Sequence, residues 1–237
     1  MSTKDNNDGH QVYLGRDEIE CRTTKEAQVA LAQGKVPALV GDLYLWVFGD
    51  DVIVCLSGAP HVMVLGSSKA FVEVRGSASP HIEVRDDSQP HVVAWESSSP
   101  HVEACNASKP LVDAFESSKP HVTAWNKARP HVEAWGSSSP CVEACNASQP
   151  HVIARNTSQP VIKAWDASKP YVVARNASKP HVVARNTSQP QVVAKNTSQP
   201  HVESHDSSEP HVVSEKSSVP RVEAWDESRP HVEQRAE

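Results

Sequence analysis

Histidine recurs at multiples of ten residues, and imidazole is a common ligand for transition metals. Eleven of the thirteen histidines directly follow a proline, beginning with His61 and His81. If the chain folds into stacked coils, these side chains form straight columns. A straight column presents parallel rings, whereas a metal site needs converging ligands with supporting hydrogen bonds. The column that begins at His61 is also interrupted by Cys141 and Val161. We therefore predict solvated histidine columns and no metal site.

Tryptophan and arginine share the position four residues after these histidines. Exposed residues of these two types dominate the binding energy of many protein interfaces. Stacking of arginine on tryptophan along the molecule is an equally good interpretation. The candidate interaction surface contains Trp95, Trp125, Trp135, Trp165, Trp225, Arg155, Arg175 and Arg185.

The sequence shows no grouping of residues that performs catalysis. We find no nucleophile–base pair, carboxylate pair, glycine-rich phosphate loop or paired CxxC motif, and we predict neither an enzyme nor a cofactor. Six Asn-x-Ser sites match the glycosylation acceptor pattern. Their regular recurrence indicates corner residues instead; they begin at Asn106, Asn146, Asn156, Asn176, Asn186 and Asn196.

A repeated decapeptide must position all of these side chains. We number its positions from the residue after the proline, so that 131–140 runs from position one to position ten. Position two is Val or Ile in all nineteen blocks, and position four is mostly Val or Ala. Positions one, three and five vary. Constant residues at every second position are typical of a strand with one buried face. Position six, often Asn, Asp or Gly, suits a corner, because these residues tolerate a left-handed backbone.

Identical short strands bury their apolar face only by stacking on one another. At roughly 3.3 Å per residue, ten residues give a perimeter of about 33 Å. Crossing twice between sheets that lie about 10 Å apart leaves about two residues per side, too few for a strand. Twenty residues leave about seven. The sequence therefore predicts an all-β parallel β-solenoid, or β-helix, with two decapeptides per coil. A ten-residue coil with a very thin interior is the alternative.

The first fifty residues lack the repeat. Residues 1–12 are polar and predict a disordered tail. Residues 13–50 predict a small α/β cap, with a short strand near residues 12–14, a helix over about 23–34 and a strand over about 43–48. A capping-box sequence opens the helix at Thr23, and Gly34 ends it. The alternative is a separate functional domain. Residues 51–237 form the predicted solenoid, in register from Val52 and Val54 onward.

Composition restricts the partners and the compartment. The formal net charge is −6 with both signs interleaved, so a nucleic-acid partner is not expected, since it would require a basic stripe. The five cysteines are irregularly placed and predict free thiols. We find no leader sequence and no long apolar run, which predicts no membrane association. We expect a cytoplasmic protein, or a virion component assembled in the cytoplasm.

The Val-x-Ala strand followed by a serine-containing turn resembles the short-period repeats of bacterial and phage proteins. Octapeptide arrays of the Ser-Ala-Thr-Val-x-Ala type are similar, with a shorter turn. The resemblance covers residues 51–237 in pattern only, and it implies a solenoid. Ice-nucleation proteins are similar in their short Ser/Thr-rich repeats, but their Gly-Tyr-Gly-Ser-Thr signature is missing here. Pentapeptide-repeat proteins that mimic DNA are a more distant analogy, without the matching Ala-Asp-Leu pattern.

Three functions fit these patterns. The first is a non-catalytic rigid rod or spacer that presents a surface to an unknown protein partner, with self-association as an option. The second is an ice- or surface-binding solenoid, suggested by Thr157, Thr187 and Thr197 in the turns. The third is an acidic DNA mimic that inhibits a DNA-binding enzyme. Scattered Lys and Arg weaken the third, because a mimic needs a sustained potential of one sign.

Overall fold

The structure is a computed structural model that describes residues 18–215 and 217–235. The predicted tail, the predicted strand near residues 12–14 and the beginning of the predicted cap lie outside these ranges. The first described elements are β1 (Glu18–Cys21), α1 (Thr24–Ala32), β2 (Val36–Val40) and β3 (Tyr44–Val47). The sequence pattern predicted the helix and β3, but β1 and β2 were not expected.

Helix α1 begins and ends as its sequence predicts. Thr23 is the N-cap residue, and its hydroxyl accepts a hydrogen bond from the Glu26 N–H at 3.3 Å. The Glu26 carboxylate accepts one from the Thr23 N–H at 3.1 Å, which completes the capping box. At the other end, Gly34 has a left-handed φ of +68°. The N–H of Lys35 then donates to the Ala30 carbonyl at 3.0 Å, as in a Schellman motif.

The rest of the described chain consists of short strands joined by corners. They are β4 (Val52–Ser57), β5 (His61–Val64), β6 (Phe71–Val74), β7 (His81–Val84), β8 (His91–Ala94), β9 (His101–Ala104), β10 (Leu111–Ala114), β11 (His121–Ala124), β12 (His131–Ala134), β13 (Cys141–Ala144), β14 (His151–Ala154), β15 (Val161–Ala164), β16 (Tyr171–Ala174), β17 (His181–Ala184), β18 (Gln191–Ala194), β19 (His201–Ser204), β20 (His211–Glu215), β21 (Arg221–Ala224) and β22 (His231–Arg235).

The strands form two parallel sheets, and successive strands alternate between them from β2 onward. One sheet has twelve strands, β1 followed by the even-numbered strands, and the other has ten, from β3 to β21. Leu111 pairs with His131, and His131 with His151, so from β5 onward each strand pairs with the strand twenty residues later. The predicted parallel β-solenoid with two decapeptides per coil is therefore confirmed, and the ten-residue coil is excluded.

Four of the ten positions point into the solenoid. Val132 at position two and Ala134 at position four are fully buried, as predicted. Position eight is also inside, which the sequence analysis did not predict: Ser208 is buried and its hydroxyl donates to the His205 carbonyl at 2.7 Å. The proline at position ten is buried as well, for example Pro110. The interior is therefore apolar beneath the strands and partly polar at the corners.

The corners after β6 through β19 and after β21 are hydrogen-bonded turns with a left-handed residue at position six. In one corner, Asn106 has a φ of +61°, and the Ser108 N–H donates to the Cys105 carbonyl at 3.2 Å. Glu96 and Glu116 adopt the same conformation, so the corner does not require Asn, Asp or Gly. The proline carbonyl remains available to the neighbouring coil: the His131 N–H donates to Pro110 at 2.8 Å. Proline has no backbone N–H to donate, but its carbonyl still accepts a hydrogen bond from the neighbouring coil.

The first block departs from the predicted phase by one residue. Ile53 and Cys55 are fully buried in the interior and pair with Val72 and Val74. Val52 and Val54 lie on the opposite face of β4, so their predicted inward orientation was wrong. The corner between Cys55 and Val62 has one residue fewer than the corner between Val64 and Val72. This missing residue shifts the alternation in β4 relative to all later strands.

Helix α1 covers the end of the ten-stranded sheet. The Tyr44 N–H at the edge of β3 donates to the Thr24 hydroxyl at 3.2 Å. Ala27 and Ala30 are buried in the same apolar core as the solenoid interior. The opposite end is less well covered, since Val232 is 51% exposed. The helix therefore satisfies an open strand edge, which would otherwise invite pairing with another chain.

The register predicts that the array tolerates removal of a whole coil. Deletion of residues 151–170 would join Pro150 to Tyr171. Every remaining strand would keep its sheet, with β12 next to β16 and β13 next to β17. We expect this variant to fold with an unchanged β-type circular dichroism spectrum and a cooperative melt. Deletion of only residues 151–155 removes a strand and leaves its corner, so this control should lose stability strongly. Equal melting temperatures for the two deletions would contradict the coil assignment.

Candidate interaction surface

The eight predicted interaction residues divide between the two faces of the solenoid. All occupy position five, which points outward. Those on the twelve-stranded sheet are Trp95, Trp135, Arg155 and Arg175, and those on the ten-stranded sheet are Trp125, Trp165, Trp225 and Arg185. The structure therefore builds two separate columns, where the sequence analysis grouped the residues as one surface.

The column on the twelve-stranded sheet is a continuous stack. The rings of Trp95 and Phe115 lie 4.4 Å apart between centroids at an interplanar angle of 14°. Phe115 and Trp135 follow at 6.3 Å, and the Arg155 guanidinium lies 4.3 Å above the Trp135 ring. A cation over an aromatic face contributes about 0.5–1 kcal/mol when it is exposed. These side chains mainly contact their neighbours along the rod.

The column on the ten-stranded sheet is less continuous. Arg185 lies 5.2 Å above the Trp165 ring, and His205 stacks on Trp225 at 4.6 Å. Trp125 and Trp225 remain 38% and 41% exposed. Stacking along the rod and accessibility to a partner thus coexist in this column.

The histidine column His61, His81, His101 and His121 follows the ten-stranded sheet as predicted. Successive rings stack at 4.6, 4.9 and 4.8 Å between centroids. Burial lowers the pKa of His101, and the neighbouring rings of His121 and His81 lower it further. At position three, a carboxylate approaches the column from the following coil: His61 Nε2 lies 3.7 Å from Glu83.

The five cysteines are free thiols, as predicted. Burial raises the pKa of Cys55 to about 12, and it also raises the pKa values of Cys105, Cys141 and Cys145. Nucleophilic cysteines need the opposite shift, because the thiolate is the reactive form. Arg85 near Cys105 and Lys163 near Cys141 act to lower the pKa of these thiols, but burial outweighs both cations.

The turn threonines do not form one row. Thr157 and Thr197 follow strands of the twelve-stranded sheet, whereas Thr187 follows a strand of the other sheet. Each hydroxyl donates to a carbonyl of the preceding coil, as Thr187 does to Asp166 at 3.1 Å. Their hydroxyl protons are therefore engaged within the solenoid.

The outward face of β3 and the residue that follows this strand were not among the predicted interaction residues. Tyr44, Trp46 and Phe48 are 58%, 43% and 72% exposed, and we call these three residues the aromatic face. The half-buried side chains of Met63 and Leu65 continue it onto the adjacent strand β5. A signal was present, because residues 43–48 are apolar at every position rather than at alternate ones. A strand that is apolar on both faces is typical of burial on both sides.

These features define the class of the molecule: a parallel β-solenoid repeat protein with a short helix at one end. No helix in the described part of the chain has the length and apolar character needed to cross a membrane. No family model matches the sequence, and neither a curated protein nor a solved structure matches it.

Proposed function

We propose that this chain is a non-catalytic repeat protein, a rigid rod that binds a partner protein at its helix-capped end. The aromatic face carries the proposal. Tyr44 and Trp46 lie on the outward face of β3, Phe48 comes directly after this strand, and all three keep much of their surface exposed. Exposed large apolar patches typically mark interaction sites in soluble proteins.

The composition of this patch favours a protein partner. Aromatic residues and methionine are enriched in protein interfaces, and charged residues are depleted in their centres. The aromatic face and the adjacent Met63 and Leu65 provide such a centre. The coils beyond it carry more polar outward positions, for example Glu83 and Arg85 on β7 and the residue after it. This contrast favours docking at one end and a spacer role for the remaining coils.

The chemistry along the rod supports a non-catalytic role. Its polar side chains recur at the same positions of successive coils, as expected of structural residues. Position-three carboxylates contact cationic neighbours: Glu143 lies 2.8 Å from the Lys163 ammonium, and Glu73 lies 2.7 Å from the Arg75 guanidinium. Such local pairing also opposes the sustained negative potential that a DNA mimic needs.

The free thiols support a reducing compartment, because disulfides persist mainly in oxidising ones. We therefore propose that the protein resides in the cytoplasm or in a particle assembled there. The resemblance of its repeats to bacterial and phage arrays supports the same assignment. Fractionation of the source cells, with detection of the protein by an antibody, tests this location.

We expect Phe48→Ser to abolish capture of the partner. Immobilised wild-type protein would be compared with this variant and with Trp225→Ser, which removes an exposed aromatic from the far end of the same sheet. Proteins captured from a lysate by the wild type and by Trp225→Ser, but lost with Phe48→Ser, would identify the partner. Identical captured sets for all three proteins would exclude the aromatic face as the docking surface. Sedimentation velocity distinguishes self-association, which Phe48→Ser should abolish if a second copy is the partner.

A further inference from the structure

Three histidines surround one carboxylate on the outer face of β17 and β19. His181 Nε2 lies 2.8 Å from Glu203 Oε1. His201 Nδ1 lies 3.9 Å from the same oxygen, and His205 Nε2 lies 3.7 Å from Glu203 Oε2. The donor atoms of His181, His201 and Glu203 all lie within 4.8 Å of one another. The sequence analysis predicted parallel histidines only, but here the side chains converge.

Alternation along one strand and stacking between coils create this convergence. His201, Glu203 and His205 occupy positions one, three and five of β19 and the residue after it, so all three point outward. His181 occupies position one of the preceding coil and stacks on His201 at 4.9 Å. His205 is fixed from the other side by stacking on Trp225 at 4.6 Å. Neighbouring coils therefore hold the cluster in place.

We propose that His181, His201, His205 and Glu203 form a binding site for a divalent first-row transition metal such as Zn²⁺. Imidazole nitrogens and a carboxylate are ligands that Zn²⁺ accepts at about 2.0–2.2 Å in a tetrahedral arrangement. Tetrahedral ligands at these bond lengths lie about 3.3 Å apart. The distances from Glu203 to the three histidines differ from this value by about half an ångström. The donor atoms of His181, His201 and Glu203 already lie within 4.8 Å of one another. Binding by all four residues would require the His205 ring to turn toward the other three donors.

The electrostatic surroundings distinguish this cluster from two similar ones. In the described residues, all the ion-pair contacts of Glu203 are with histidines. The cluster of His121, Cys141 and Glu143 already holds a cation, because the Lys163 ammonium lies 2.8 Å from Glu143. In the cluster of His211, His231 and Glu233, Arg235 lies 3.0 Å from the carboxylate.

One further observation fits a ligand role. His201 Nε2 is buried without a hydrogen bond in the described structure and lies 3.5 Å from Glu223. Glu223 can thus orient the His201 ring, as second carboxylates commonly do behind metal-bound histidines.

The metal would join two coils in the part of the solenoid where serine replaces alanine in the interior. Position four is Ala184 in the coil of His181, but it is Ser204 and then Ser214 in the strands that follow. An ion bound by β17 and β19 ties these coils together from outside. A ligand that binds only the folded state raises its stability by RT ln(1 + c/Kd), where c is the free ligand concentration, so the gain increases with the Zn²⁺ concentration.

Titration of the purified protein with Zn²⁺ by isothermal calorimetry tests the site. We expect His205→Ala and Glu203→Gln each to weaken the tightest binding step by at least about tenfold, since even residues behind metal ligands typically contribute about 10–100-fold. His81→Ala is the matched control, because it removes a stacked histidine from the His61–His121 column and should leave this step unchanged. Zn²⁺ should also raise the melting temperature of the wild type, but not that of Glu203→Gln.

Circular dichroism of each variant without metal separates loss of binding from loss of folding, and His181→Ala supplies a third variant. The proposal is overturned if the wild type binds no Zn²⁺ or if the ligand variants keep its affinity. It is equally overturned if His81→Ala weakens the tightest step as much as His205→Ala, since binding would then belong to histidine columns in general.

Discussion

We expect a Val182→Asp variant to lose on the order of 3–5 kcal/mol of stability, the cost of an uncompensated buried charge. Val182 is fully buried at position two of β17, between Ile162 and Val202 of the adjacent coils. Both neighbours along the sheet are aliphatic, so a carboxylate at this position gains no ionic partner from them. For a chain of this length, the melting temperature should fall by about 6–20 °C.

The adjacent residue supplies the matched control. Val183 points outward, where the same position holds Lys163 in one neighbouring coil and Glu203 in the other. Val183→Asp should therefore change the melting temperature by no more than about 2 °C, as is usual for surface substitutions. Thermal melts followed by circular dichroism measure both variants. A larger loss for Val183→Asp would mean that the inner and outer faces are reversed.

The second large effect concerns the shortened corner after β4. A Cβ atom at Gly58 would lie 2.7 Å from Gly41 Cα and 2.8 Å from its carbonyl carbon, and neither backbone atom can rotate away. Gly58 also has a left-handed φ of +75°, which costs a residue with a side chain about 1–2 kcal/mol. Overpacking adds about 1–3 kcal/mol. We therefore expect Gly58→Ala to be among the most damaging substitutions to alanine.

Gly66→Ala isolates the steric part of this effect. Gly66 has a similar φ of +71°, but a Cβ atom there would meet nothing within 4 Å. This variant should lose only the conformational cost of about 1–2 kcal/mol. Urea unfolding curves of the two variants give the difference directly. Equal free energies of unfolding would show that the approach of Gly58 to Gly41 is relaxed in solution.

The alternation of buried and exposed residues was sufficient to predict the solenoid, because the repeated region is long and the even and odd positions of the decapeptide differ in chemistry. At Val132 and Ala134, constant small apolar residues alternate with polar ones, so the buried face is unambiguous. The same rule failed at β4 because Val52, Ile53 and Val54 are apolar in both phases. There the length of the following corner decides the orientation, and a periodic pattern does not encode it.

The candidate sites depended on information that the repeat does not contain. The two-block coil implies that Trp135 and Trp165 lie on opposite faces, but grouping by position alone concealed this. The cluster around Glu203 requires a carboxylate to reach histidines of its own strand and of the preceding coil. Such reach depends on rotamers rather than on spacing. The aromatic face was visible as an unbroken apolar run, but the sequence alone did not show that its outer side remains uncovered.

Because each decapeptide forms half a coil, the effect of gaining or losing repeats depends on whether their number is even or odd. A duplication or loss of two decapeptides inserts or removes one turn and leaves every downstream side chain on its original face. Duplication or loss of a single decapeptide fits the interior, because the two halves of a coil bury nearly the same residues. However, it transfers all downstream blocks to the opposite sheet. His181 and His201 would remain paired with each other, but they would lie on the twelve-stranded sheet. Insertion or loss of twenty residues therefore changes the length and leaves each downstream residue on its original face. Insertion or loss of ten residues moves every downstream residue to the opposite face.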